Sequence, residues 1–219
     1  MTSRDVILGR IRNALTDVPP LAPENDVAIA WRYGQRPEGV PEDILSLFVE
    51  RVEDYRAVVW RINPTDVPRK IGKLLAGHGA RSVVIPSGAD DSWRVAVQDL
   101  GIRVVQDDPP LTHAEMDAID AVVTDATVGI AVTGTIVLDH GAGQGRRALS
   151  LVPDLHVCVV RAEQVVADVP EAITLLQASI EERRPQTWIS GPSATSDIEL
   201  SRVEGVHGPR TLHVLLVNV

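Results

Sequence analysis

From residue 55 onward, short runs of β-branched residues alternate with longer stretches whose apolar positions recur every three or four residues. Residues 56–61, 81–85, 102–105 and 121–123 read as strands. Residues 64–76 and 90–100 read as amphipathic helices closed by Gly77 and Gly101, with a shorter helix at 113–116. Strand–helix alternation of this length needs crossover connections. The expected fold is therefore α/β, a mainly parallel sheet flanked by helices in a Rossmann-like arrangement.

Residues 127–138 break that rhythm. Valine, isoleucine and threonine dominate, with two glycines inside the run, a composition that no helix of that length favours. Two strands joined by a tight turn at Thr133-Gly134-Thr135 account for it better. Further strands are expected at 155–160, 187–190 and 212–217, with a helix over 170–182. At the other end, residues 2–15 form an amphipathic pattern opened by a Thr or Ser cap, and Pro19, Pro20 and Pro23 then interrupt it. Extended chain up to Pro41 and a helix ending near Asp54 complete an expected amino-terminal helical arm, residues 1–54, packed on a main domain of residues 55–219.

Composition narrows the function. The chain has 219 residues, with 21 Lys+Arg against 30 Asp+Glu and a net charge of −9. Such a surface has no electrostatic reason to seek nucleic acid, and 3% aromatic residues provide little stacking surface for it. The core must be aliphatic. Cys158 is the only cysteine, so the chain can hold neither an iron–sulfur cluster nor a thiolate metal site, and no cofactor is expected. Inside an apolar run, Cys158 reads as a small buried hydrophobe. No stretch approaches the roughly 18 apolar residues of a membrane span, and the first residues show no secretory pattern. A reducing cytoplasm is the expected location.

Candidate chemistry gathers in glycine- and hydroxyl-rich loops, expected where ligands bind open α/β sheets, beyond the carboxyl ends of strands. Thr133, Gly134 and Thr135 offer two hydroxyls around a position where backbone can approach a ligand, although a plain hairpin turn has the same look. The run Ser190-Gly191-Pro192-Ser193-Ala194-Thr195-Ser196-Asp197 precedes a possible helix. Gly191, Ser193, Thr195 and Ser196 there suit an anion, and a helix cap is the simpler alternative. His207, between glycines and next to Gly208, suits acid–base work with Asp197 as a second candidate; a solvated turn reads equally well. Residues 139–147 contain three glycines, which suggest mobility, and Arg146 and Arg147 are cationic candidates for a carboxylate or phosphate. A metal site built from His140, His207 and Asp197 is disfavoured by spacing.

Together, Ala131-Val132-Thr133-Gly134-Thr135-Ile136-Val137-Leu138, Gly191-Pro192-Ser193-Ala194-Thr195-Ser196-Asp197-Ile198-Glu199 and Gly205-Val206-His207-Gly208-Pro209 resemble the signature runs of the lactate-utilisation C proteins, the LUD-domain family. The resemblance implies a fold similar to the phosphosugar isomerase/CoA-transferase-like superfamily. It also implies membership of a three-protein system oxidising L-lactate to pyruvate, whose two partners carry iron–sulfur clusters. One position departs: Val132 stands where the family's run usually has glutamate. In CoA transferases of the superfamily a glutamate is the covalent nucleophile, and valine cannot attack a thioester.

The expectation is an accessory component of L-lactate oxidation that works with iron–sulfur subunits and binds a small carboxylate or phosphorylated ligand. Two alternatives stand beside it. One is a stand-alone isomerase- or acyl-transfer-type enzyme using His207 or Asp197. The other is a ligand-free assembly module docking through Trp31 and Tyr33.

Overall fold

The structure, a computed structural model, describes residues 2–17, 42–195, 203–204 and 208–218. The chain divides into two compact units, Met1–Tyr33 and Gly34–Val219. In the first, helix α1 (Ser3–Ala14) opens on a reciprocal cap: the Thr2 hydroxyl accepts the Asp5 amide proton, and the Asp5 carboxylate accepts from the Thr2 amide.

The second unit is α/β. Its strands are β1 (Val58–Ile62), β2 (Ser82–Val84), β3 (Arg103–Val105), β4 (Ala121–Asp125), β5 (Val128–Ile130), β6 (Thr135–Leu138), β7 (Leu155–Arg161), β8 (Val165–Val166), β9 (Thr187–Ile189), β10 (Ala194–Thr195), β11 (Val203–Glu204) and β12 (Thr211–Val217). Its helices are α2 (Ile44–Asp54), α3 (Val67–Gly77), α4 (Asp91–Gln98), α5 (His113–Asp117) and α6 (Val169–Glu181). Among the described residues, six strands form a wholly parallel sheet in the order β1-β12-β7-β4-β2-β3. A second sheet, β8-β5-β6-β9, contains the antiparallel hairpin expected over 127–138.

The central strands β7 and β12 are near-continuous apolar runs because both of their faces are covered. On β7, Val157 and Val159 face Ile71, Leu75, Trp93 and Val97 of α3 and α4. Cys158 and Val160 face the opposite way, toward Phe48 and Val52 of α2 and Ile136 and Leu138 of β6. Helix α6 covers the far side of the second sheet through Ala172 and Leu176, packed on Val128, Ile130 and Val137. Helix α2, grouped with the amino-terminal arm on the sequence, is thus a core helix of the second unit. No helix among the described residues is long and apolar enough to cross a membrane.

Candidate functional site

The β5–β6 hairpin turns at Gly134, which adopts φ +56° against the backbone of Arg51. A Cβ at Gly134 would come within 2.6 Å of the Arg51 carbonyl, so no side chain fits. The turn presents Thr133 and Thr135, whose hydroxyls lie 2.8 Å apart. Thr135 continues the chain of hydroxyls to Ser190 Oγ, also at 2.8 Å. Ser190 follows β9, which pairs with β6 through Ile136 and Ile189, so the sheet register makes this meeting obligatory.

Beyond Ser190 the backbone turns at Gly191, with φ +83°, pressed against Tyr55. The Ser193 amide then donates to the Pro209 carbonyl at 2.8 Å. A Cβ added at Gly208 would lie 3.6 Å from Ser193 Cβ, in ordinary contact. Thr133, Gly134, Thr135, Gly191, Ser193 and Gly208 therefore belong to one continuous stretch of structure. Thr195 contributes backbone to β10, paired with Val203. Ser196, Asp197 and His207 lie outside the described residues.

The edge on which these loops gather differs from the sequence expectation. Tyr55 and Pro209 come just before β1 and β12, so the cluster sits at the amino edge of the parallel sheet. The rule of carboxyl-end binding applies to parallel strands. Here the loops at 131–134 and 190–193 follow strands β5 and β9 of the second sheet, whose hairpin brings the chain back toward the other edge, and Gly208-Pro209 leads directly into β12.

The carboxyl edge holds a different group. Strand β2 leads through α4 to β3 on one side, whereas β4 leads toward β7 on the other, which makes the crevice between β2 and β4 a topological switch point. The glycine-rich loop of residues 139–147 fills it. Gly143 donates its amide to the Ser87 carbonyl at 2.9 Å, and its carbonyl accepts from the Asp125 amide at 3.0 Å. His140 lies 2.9 Å from the Gly145 carbonyl and 2.8 Å from the Thr187 hydroxyl, and Asp139 pairs with Arg184 at 3.0 Å. The loop is pinned at several points, in contrast to the mobility its glycines suggest. Those glycines serve close approach: Gly143 at φ +76° abuts the Asp125 carboxylate, and Gly88 at φ +86° abuts Ala142. Burial raises Asp125 above the ordinary carboxylate range, with Arg161 at 3.1 Å offsetting only part of the effect.

Arg146 belongs to this edge and not to the hydroxyl cluster. Its Nε and Nη2 grip Asp107 at 2.6 and 2.9 Å, and Nη2 also donates to the Leu111 carbonyl. A cavity of about 500 Å3 opens here, lined by Ser87, Gly88, Arg94, Asp107 and Arg146 among others. Arg94 is equally committed, to the carbonyls of Ile85, Pro86 and Ala89 and to Asp91. Sequence reasoning missed Ser87, Gly88, Asp125 and Arg161. Ser87-Gly88 carried a usable signal, because it follows directly after a strand of the parallel sheet. Among the described residues no group of three or more His, Cys, Asp or Glu is placed to hold a metal ion.

Val132, next to Thr133, is 38% exposed, with its amide bonded to the Ala167 carbonyl. The position is open to a ligand and chemically inert. Cys158 is fully buried, and burial pushes its thiol up to about 12.

Comparison with known proteins fits this arrangement. The LUD domain family model matches residues 45–217, from α2 through β12. The chain belongs to the LUD-domain family. It is 48% identical over 194 residues to lactate utilization protein C of Deinococcus radiodurans, an alignment covering 84% of this chain and 89% of that protein. A lactate utilization protein C of Bacillus pumilus is 38% identical over 108 residues, covering 47% of this chain and 44% of that protein. A crystal structure of a DUF162 family protein from Deinococcus radiodurans superposes with a TM-score of 0.69 at 45% identity, covering 80% of this chain and 96% of that one. In LUD-domain terms, α2 is where the matched domain begins, in agreement with its place in the core.

Proposed function

We propose that this chain is an accessory component of L-lactate oxidation to pyruvate, working with iron–sulfur partner proteins and binding a small carboxylate anion at the hydroxyl cluster. The observation that carries the ligand-binding part is the linkage of three sequence-distant loops through Thr135–Ser190 and Ser193–Pro209. The 48% identity to a protein named for lactate utilisation supports the pathway.

The donors in the described part of the cluster are hydroxyls and backbone amides. Neutral donors suit the single charge of a 2-hydroxy or 2-oxo acid better than a phosphate dianion. With Val132 at the position of the family's usual glutamate, this part of the site binds and orients without a covalent nucleophile. The chain's single buried thiol leaves electron transfer to the partners.

Calorimetric titration with L-lactate and with pyruvate tests the site. Thr133→Ala combined with Ser193→Ala should weaken binding about tenfold or more while the fold is retained. Equal affinity in the double variant overturns the site assignment. Loss of co-purification with cysteine-rich partners is a separate readout for the assembly role.

A further inference from the structure

Among 21 basic side chains the sequence has only two lysines, and both lie on α3, three positions apart. Lys70 and Lys73 line a cavity of about 280 Å3 at the carboxyl end of edge strand β1, together with Arg61, Asn63, Asp66 and Arg69. Four cations thus surround one carboxylate, and Asp66 is already engaged by Arg69 at 2.6 Å. Arg61 donates to the Ser46 hydroxyl, and the carboxylate acting on its charge, Asp43, caps α2 outside the cavity lining. Neither lysine has a carboxylate within ion-pair distance among the described residues. On a chain of net charge −9, an excess of three positive charges in one cavity is a strong local reversal of sign.

The charge is also positioned. Lys70 Nζ sits 3.0 Å from the centroid of the Trp60 ring. The Trp60 indole N–H donates to Nδ1 of His213 at 3.3 Å, and Nε2 of His213 lies 2.8 Å from Nε2 of His78. Because Nδ1 of His213 accepts, its proton resides on Nε2 and is donated to His78. His213 is buried on β12, so this relay ties the Lys70 ammonium to the centre of the sheet. Partial burial, with the like charges of Lys73 and Arg69, holds the Lys70 ammonium below the ordinary lysine range. A bound anion relieves that strain.

We propose that this cavity binds a compact oxyanion of the phosphate class, either inorganic phosphate or the phosphate group of a small molecule, through Lys70 and Lys73 with Arg61 and Arg69. Its volume is below the roughly 300–1,000 Å3 typical of drug-sized ligand sites, and so suits a phosphate with a small substituent. It lies at the carboxyl end of β1, whereas the hydroxyl cluster occupies the amino edge.

Two lysines make the test direct. Reductive dimethylation with 13C-formaldehyde keeps both positive charges and gives two lysine side-chain NMR signals beside that of the amino terminus. The Lys70 signal should be shifted by the Trp60 ring. Titration with inorganic phosphate at constant ionic strength, balanced with chloride, should move both signals saturably with a midpoint on the order of 1–10 mM. Lys73→Ala, read on the remaining Lys70 signal, should weaken the midpoint about fivefold, and Thr133→Ala with Ser193→Ala should leave it unchanged. A parallel titration with glycerol 3-phosphate separates the sources. A tighter midpoint assigns the site to a phosphorylated metabolite and an equal one to free phosphate, both within the proposal. Absence of a saturable shift up to about 50 mM phosphate overturns it. So does an unchanged midpoint in Lys73→Ala, or loss of binding in the hydroxyl variant alone.

Discussion

Thr135 and Ser190, 55 positions apart in the chain, meet hydroxyl to hydroxyl at 2.8 Å and join the hairpin turn to the loop that follows β9. Thr135 is only 5% exposed and also contacts the Thr133 hydroxyl, so its Oγ1 is the hub of the cluster. Thr135→Val keeps the shape and removes the hub. We expect a loss of about 1 kcal/mol in urea unfolding, with weaker binding of L-lactate by calorimetry. A stability equal to wild type would show that the three hydroxyls act independently.

Gly143 and Gly79 separate two roles of glycine. Both have positive φ, +76° and +69°, but Gly143 is backed by the Asp125 carboxylate whereas nothing lies within 4 Å of a Cβ at Gly79. Gly79→Ala should cost about 1 kcal/mol, from backbone conformation alone. Gly143→Ala adds a collision and the loss of its bonds to Ser87 and Asp125, and should cost about 3 kcal/mol. Paired thermal and urea unfolding curves measure the difference.

Cys158 should be inert in the native protein. It is fully buried and its thiol is pushed up to about 12, so almost no thiolate exists at neutral pH. A coloured thiol reagent should react with none of the folded protein and with one equivalent after denaturation. Rapid labelling of native protein would contradict the packing between Thr124 and the α2 side of the core.

Stability should fall between pH 6.5 and about 4. His156 is buried beside the Thr124 hydroxyl at 2.8 Å, its Nδ1 has no partner among the described residues, and burial pushes it down to about 4. An unfolded histidine titrates near 6.5. Across that window the unfolded chain takes up a proton that the folded chain refuses. The contribution is therefore complete above pH 6.5 and is lost progressively toward pH 4, amounting to about 3 kcal/mol. His213, lowered chiefly by burial and then by His78 and Lys70, acts in the same direction. Urea unfolding at pH 7.5, 5.5 and 4.5 measures the slope, and His156→Gln should flatten it.

Arg146→Lys tests the reassignment of Arg146. A lysine cannot reproduce the two-pronged grip on Asp107, so a loss of about 1 kcal/mol is expected, allowing for partial exposure. Affinity for L-lactate should stay unchanged, since Arg146 stands at the carboxyl edge.

The alternation of strands and helices, the 127–138 hairpin and the apolar strands β7 and β12 were legible in the sequence because each follows from a local period or composition. The two-residue strands β8, β10 and β11 were not, since two residues carry no period. Thr133 and Thr135 stood out as hydroxyls flanking a glycine and Ser193 as a member of a hydroxyl-rich run, and the structure links the two loops through Thr135 and Ser190. Their edge was misjudged because direction within a second, antiparallel sheet is a property of the assembled fold. Arg146 looked like a free cation, since its partner Asp107 lies 39 positions away and only tertiary structure brings them together. The pairing of Lys70 with Trp60 is similarly invisible along the chain, whereas the scarcity of lysine was there to be counted.

The seat of Gly143 between Ser87 and Asp125 means that the fold arrives with its switch-point crevice already occupied by its own main chain. Any guest taking that seat must offer an acceptor to the Asp125 amide and a donor to the Ser87 carbonyl, as a peptide group does. An ionised carboxylate group supplies only the acceptor half of that pair. The crevice thus discriminates by hydrogen-bond polarity, and a carboxylate group alone cannot replace the chain's own peptide group there.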